Sequence, residues 1–459
     1  MKTYRIITAF SAAMLITLTS ISCSCGSKND EVKNSKPINE SVSENEGKTQ
    51  LTIAMPWNDT TIEKAVKSFN KSNDKYEAVI NNTYDSSDGM NNFDEAMKRI
   101  QVDIISGNAP DIIAAEPSKM LSMINGGYMT DIYPLMENYD GVKKEDFLPN
   151  VLEALDFDGK LPAVCNSFSI ETVVAKTKFV GEDSADWTLE QAIDCFENLP
   201  KDTDFSIPPF EGGVSPFNSI ILTKLGHDSI NCKTNTCQFS EDFRRAVNYI
   251  NSQGEIEIIN KRVYDKIYID DYAVAAPVRL TGFNSILAYD IYAQFGGEDI
   301  TFVGYPSTNG CGAITYSSEM FGILESSQNK EAAWEFLNQL FDYSKTSPLG
   351  SDLYYSFSVL SDAFEIPAKD NDQYSSFALK LPQRASFSEN PEDDMVIDDA
   401  TIQKTLDYIK NLKFDFYYDG NLDNIINEEV GEMLGGTRSA EECIDMLENR
   451  ISIYISEKN

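Results

Sequence analysis

Between Leu51 and Ala115 the chain changes its hydrophobic period four times. Leu51-Thr-Ile-Ala-Met-Pro-Trp57 reads as a buried strand, and Thr60 to Asn70 then sets Ile62, Ala65, Val66 and Phe69 at helical spacing. Tyr76 to Tyr84 returns to a strand pattern. Asn92 to Ser106 carries Phe93, Ala96, Met97, Ile100 and Ile104 on one helical stripe, and Gly107-Asn-Ala-Pro110 stops it before the strand Asp111 to Ala115. This β-α-β-α-β order predicts a parallel sheet covered by helices on both faces, with ligands bound beyond the carboxyl ends of the strands.

Composition narrows the function. The 459 residues suggest two or three domains, and 42% hydrophobic residues supply large cores. Thirty-eight basic residues against 73 acidic ones, a net charge of −35, exclude a surface built for nucleic acid. His227 is the single histidine, which excludes a three-histidine zinc site, a metalloprotease helix or a two-histidine iron site. Asp85-Ser-Ser-Asp-Gly89 has part of a calcium loop without the glutamate that closes it. No cofactor or metal is expected.

The first residues concern the compartment. Lys2 and Arg5 precede an apolar run from Ile6 to Ile21, shorter than the roughly 20 residues that cross a bilayer, so residues 1–24 read as an export signal. Ser22-Cys23-Ser24-Cys25-Gly26 is similar to the cleavage site of bacterial lipoproteins, which implies a lipidated Cys25, or alternatively Cys23, on the outer face of the cytoplasmic membrane. Residues 25–48, rich in Ser, Asn, Lys and Glu, lack the apolar material to fold and read as a flexible tether.

A further set of motifs carries a resemblance. Ser106-Gly-Asn-Ala-Pro-Asp-Ile-Ile113, Gly126-Gly-Tyr-Met-Thr-Asp131, Asp158-Gly-Lys-Leu161 and Asp186-Trp-Thr-Leu-Glu190 occur in the order seen in family 1 extracellular solute-binding proteins of ABC importers. Gly304-Tyr-Pro306, the segment from Ser327 to Leu337 and the tail from Gly435 continue the series. The resemblance implies an α/β, two-lobed periplasmic-binding-protein-like fold (type II), each lobe a mostly parallel sheet flanked by helices, closing on ligand by a hinge. Three chain crossings would lie near 163–168, 302–306 and 350–358. Lobe one would hold 49–165 and 304–352, lobe two 166–303 and 353–459. Its members capture a solute for the transmembrane subunits of a permease, so the chain is expected to be a monomeric carbohydrate receptor, not an enzyme, touching the membrane through its lipid anchor only. A peptide, polyamine or organic anion is the alternative ligand, and a glycoside hydrolase the more distant one.

A neutral sugar needs aromatic faces for its C–H surface and planar polar groups for its hydroxyls. Trp57 and Asn58 follow the first strand, and Glu116 and Ser118 follow the third, where a ligand would meet the sheet. Asn166 and Phe168, after Cys165 at the first crossing, would face the cleft or pack in the hinge. Arg279 stands where the family often has a stacking tryptophan, and it could grip vicinal hydroxyls or a carboxylate. Tyr305, Tyr316, Glu319 and the pair Tyr417-Tyr418 complete the candidates.

Other residues read as structural. Trp187 opens a helix capped by Thr188 or Asp186, Trp334 lies on a core stripe, and His227 falls in a polar stretch as a loop residue. Cys232-Lys-Thr-Asn-Thr-Cys237 could clip a hairpin with a disulfide worth roughly 2 kcal/mol, or remain two thiols. Cys165, Cys195, Cys311 and Cys443 read as isolated buried thiols.

Overall fold

The computed structural model describes residues 47–57, 59–81, 91–182, 187–201, 203–206, 215–231, 236–254, 271–280, 295, 298–317, 319–346, 356–364, 399–417 and 419–457. The chain divides into two units, Met1–Gly47 and Lys48–Asn459, and the fold below is that of the second. The expected export signal, nearly all of the tether, Cys23, Cys25, Asn58, Cys232 and Tyr418 lie outside the described residues.

The alternating segments form as their periods require. Strands β1 (Thr49–Ala54), β2 (Tyr76–Asn81) and β3 (Ile112–Ala115) are separated by helices α1 (Thr60–Ser72) and α2 (Asn91–Ser106). β1 pairs in parallel with both β2 and β3. On the stripes, Ile62, Ala65 and Phe69 of α1 and Ala96, Met97 and Ile100 of α2 are buried. β10 (Met320–Ile323) closes the sheet antiparallel to β3, giving the order β10-β3-β1-β2. Helix α3 (Pro117–Asn125) follows β3, and α4 (Tyr133–Asn138) and α5 (Pro149–Leu155) follow in turn.

The family-like motifs turn out to be fasteners. Asp111 is buried and accepts the Thr52 N–H at 2.8 Å, the Thr52 hydroxyl at 2.9 Å and the Ser327 hydroxyl at 2.7 Å, tying β1 to the loop before helix α10 (Lys330–Thr346). Asp158 and Gly159 both have positive φ and turn the chain so that Phe157 pairs with Lys160. Trp334 on α10 is fully buried and Phe336 meets Phe69 edge-on at 5.5 Å, so both belong to the core under this sheet.

The second sheet is organised by β4 (Ser167–Lys176). β7 (Ala275–Leu280), β8 (Ile300–Phe302), β9 (Ile314–Tyr316) and β11 (Phe357–Ser358) all pair with it, each antiparallel. Parallel pairs, expected of both sheets, therefore occur among the described strands only in the first.

β4 is buried on both faces because a core lies on each. Phe168, Ile170 and Val174 join the core that continues under the first sheet, while Val173 and Ala175 join a second core. Helices α6 (Thr177–Val180), α7 (Leu189–Glu197), α8 (Pro216–His227), α9 (Glu241–Gln253), α12 (Gly420–Leu434) and α13 (Ala440–Glu457) surround that second core; α11 (Asp399–Asn411) packs on the other face. Thr188 caps α7, its hydroxyl accepting the Gln191 N–H while the Gln191 side chain returns to the Thr188 N–H. Trp187 is buried against Phe205 at 5.8 Å, as a structural tryptophan should be.

Strand pairing also fixes where the chain passes between sheets. Val164 exchanges backbone hydrogen bonds with Phe321 of β10, and Ser167 already pairs in the second sheet, so the first crossing is 164–167. The second lies at 316–320, not at 302–306, because β8 and β9 both pair with β4 and only β10 returns to β3. At β11 the chain is again in the second sheet, Ser358 pairing with Ser167, and Leu360 then bridges to Phe147. Residues placed in lobe one by the sequence reading, notably β9, thus belong to the second sheet.

Candidate ligand-binding site

β4 alternates in a way that builds a site. Positions 167, 169, 171, 173 and 175 share one face of the strand. Val173 and Ala175 on that face enter the second core, whereas Ser169 and Glu171 meet polar neighbours. Arg279 on β7 stands directly opposite Glu171, and Tyr316 on β9 directly opposite Ser169. Tyr305 reaches the same point from the loop after β8.

The group is tightly cross-linked. The Tyr305 hydroxyl donates to Glu171 Oε1 at 2.7 Å, and the Tyr316 hydroxyl is hydrogen-bonded to the same carboxylate. Burial pushes the Tyr316 phenol above its ordinary range, and the charges of Glu171 and Asp423 push it further against the opposing pull of Arg279. It is consequently a hydrogen-bond donor, not a base, at physiological pH. The Arg279 guanidinium lies over the Tyr316 ring, 4.1 Å from its centroid, and donates to Ser169 Oγ at 3.4 Å. Tyr305 and Ser169 are buried, Glu171 and Tyr316 half-buried, and Arg279 exposed, so the cluster runs from the core to the surface.

Behind it stands the single histidine. His227 is the last residue of α8, not a loop residue; it is buried, and its Nε2 lies 3.3 Å from Asp423 Oδ1 on α12. Tertiary packing gives it the partner that sequence could not show.

The remaining candidates divide. Trp57 is half-buried against the first core, Glu116 is exposed as the residue before α3, and Ser118 is half-buried in the first turn of α3. Parallel pairing of β1 and β3 puts Trp57 and Glu116 beyond the same edge of the first sheet, and the register Met320 to Ala115 brings Glu319 to that edge. Glu319 is buried on the second crossing beside Cys165, whose thiol is pushed up to about 12, first by burial and further by the Glu319 charge. Asn166 is buried on the first crossing, where its backbone carbonyl receives the Val359 N–H at 3.5 Å, so it ties the first crossing to the segment after β11.

Phe168 does not face a cleft. It is buried amid Phe414 at 5.0 Å, Phe357 at 5.5 Å, Phe416 at 6.3 Å and Phe364 at 6.5 Å. The period of two decides this: a strand that turns Ser169 and Glu171 to one face must turn Phe168 to the other. Tyr417 likewise packs on the first core, edge-on to Phe157 at 6.3 Å. Cys237, on the hairpin strand β6 (Thr236–Cys237) that pairs with β5 (Ile230–Asn231), carries a free thiol.

Sequence reading missed Ser169, Glu171, His227 and Asp423. A legible signal existed for two of them: in Ser-Phe-Ser-Ile-Glu-Thr-Val-Val-Ala the alternate positions change from polar to apolar part-way along one strand. Among the described residues no group of His, Cys, Asp and Glu could hold a metal ion, and no helix is long and apolar enough to cross a membrane. What this site can do is hold a polar ligand: two phenols, a carboxylate, a hydroxyl and a guanidinium converge on it.

Comparison with known proteins agrees. Residues 40–203 match the family described as bacterial extracellular solute-binding protein. The chain resembles the bacterial extracellular solute-binding proteins. A family 1 extracellular solute-binding protein from Alicyclobacillus acidocaldarius superposes with a TM-score of 0.53 at 15% identity, over 89% of this chain and 99% of that one. The sugar-binding protein MalE from Xanthomonas citri gives 0.53 at 13%, over 89% and 98%. A periplasmic oligogalacturonide-binding protein from Yersinia enterocolitica gives 0.55 at 12%, over 89% and 100%. At these identities the likeness is one of fold, and it makes this a two-lobed periplasmic-binding-protein architecture. No curated protein sequence matches the chain.

Proposed function

We propose that this protein is an extracellular, lipid-anchored receptor that captures a carbohydrate, an oligosaccharide in particular, and delivers it to the permease of an ABC importer. The carrying observation is the cluster of Ser169, Glu171, Arg279, Tyr305 and Tyr316 beside two adjacent chain crossings. A sugar hydroxyl is both donor and acceptor. Glu171, with about four acceptor positions and two phenol donors already on it, retains acceptor capacity, and Arg279 retains donors.

The mechanism is a population shift. Segments 164–169 and 316–321 run antiparallel from sheet to sheet, so small rotations in both would move the sheets as bodies. A ligand touching the Arg279 cluster and the edge carrying Trp57 and Glu116 would favour the closed form that a transporter reads. The Asn58 and Tyr418 side chains, and lipidation at Cys25 or Cys23, belong to the same reading.

A thermal-unfolding screen of the protein against oligosaccharides, peptides, polyamines and organic acids tests it. A ligand binding only the folded state at 100 times its dissociation constant adds about 2.7 kcal/mol of stability. Stabilisation by one saccharide class without turnover is the expected result; stabilisation by peptides or polyamines alone would refute the sugar.

A further inference from the structure

We propose that the ligand carries a carboxylate and that Arg279 is its seat, so that the saccharide class is the uronates and not neutral sugars. The inference rests on the receptor reading above and specifies its ligand.

The geometry starts from what Arg279 does not do. Glu171 is its direct cross-strand neighbour, the arrangement in which opposite charges ordinarily pair. Yet among the described residues no carboxylate oxygen lies within the 4.0 Å of an ion pair with Arg279. Glu171 is engaged by the hydroxyls of Tyr305 and Tyr316, and Asp423 faces His227. The two nearby carboxylates thus have other partners, and among the described residues the guanidinium has one 3.4 Å contact to Ser169 and the face of Tyr316.

That state is a prepared one. The contact with the Tyr316 ring restrains the guanidinium, whose planar fork of N–H donors matches a carboxylate bidentately. The same stacking covers a face of Tyr316 that a neutral pyranose would use. Little ordering entropy remains to be lost on binding.

The opposing force is the acidic balance of the chain, −35 overall. At physiological ionic strength charges beyond about 8 Å are largely screened, so the distant acidic surface slows approach more than it weakens a direct contact. Glu171 is the close opponent. Its two phenol donors disperse its charge, and it is half-buried where Arg279 is exposed.

The test is a titration calorimetry series on the protein with galacturonate and glucuronate trimers, their methyl esters, maltotriose and citrate. The acid trimer should bind about ten- to a hundredfold more tightly than its ester, the ratio expected for one charge-assisted bidentate contact. Arg279→Gln should erase that ratio, and Arg279→Lys should restore part of it. Because the ester comparison uses the unaltered protein, a folding defect in a variant cannot mimic the result. Equal or tighter binding of esters or maltotriose would overturn the carboxylate seat and leave the sugar receptor standing. Citrate binding that depends on Arg279, with no saccharide bound, would support the seat and overturn the sugar. No binding by any of these probes would overturn both.

Discussion

Replacing Phe168 by alanine separates a core residue from a ligand contact. Phe168 is 1% exposed and meets four other phenylalanines at centroid distances of 5.0 to 6.5 Å. Truncating a buried phenylalanine costs about 3–5 kcal/mol, and the loss of several aromatic pairs, each about 0.5–1.5 kcal/mol beyond area, places this site near the upper end. The cluster joins β4, β11 and the segment after α11, so it cannot collapse without moving a chain crossing. Equilibrium urea unfolding, followed by far-UV circular dichroism, should show Phe168→Ala losing about 4 kcal/mol and Phe168→Leu about 1–1.5 kcal/mol. Ligand affinity of the surviving folded fraction should change little, because Phe168 points away from Ser169 and Glu171. A loss below about 1 kcal/mol, or lost binding at an unchanged midpoint, would refute the packing argument.

Four further outcomes are expected. Gly304 has φ +73°, and a Cβ there would stand 2.9 Å from the Gly312 carbonyl oxygen, so Gly304→Ala should destabilise by about 1–3 kcal/mol; Gly310→Ala, also at positive φ but with only Lys413 Nζ at 3.6 Å, should cost less in the same urea assay. Tyr305→Phe removes a donor from Glu171 and should weaken ligand binding several-fold in calorimetry while the fold persists. Glu298 is held below its ordinary value, chiefly by its hydrogen bond to Lys178, and Asp271 is also held low, Lys176 and Lys178 outweighing the upward push of burial. A lowered folded value means stability present above the unfolded values near 4 and lost as pH falls through the folded ones, so unfolding midpoints should drop below about pH 4.5, less steeply in Lys178→Gln. Finally, Trp187 and Trp334 are buried and Trp57 only half so; acrylamide should quench mainly Trp57, and Trp57→Phe should remove that component.

Much of the first sheet was legible because its signals are local. The stripes Ile62-Ala65-Phe69 and Ala96-Met97-Ile100 need no distant partner to be read, and the helices form where the period says. Trp334 and the Thr188 cap were readable for the same reason. The candidate site was legible in part: Arg279, Tyr305 and Tyr316 were named as separate positions, but their convergence was not.

What the sequence by itself determined is the alternating elements of the first sheet, the acidic balance, the exclusion of multi-histidine metal chemistry and the likeness to solute-binding proteins. Pairing over long separations belonged to the tertiary structure alone. It made β4 the antiparallel hub of the second sheet, moved the second crossing to 316–320, turned Phe168 into the core, and gave His227 its partner Asp423. The physical reason is common to all four. Periodicity reports which face of an element is apolar, whereas which element covers that face depends on register between residues 100 or more positions apart, such as Glu171 with Arg279 and Ser169 with Tyr316.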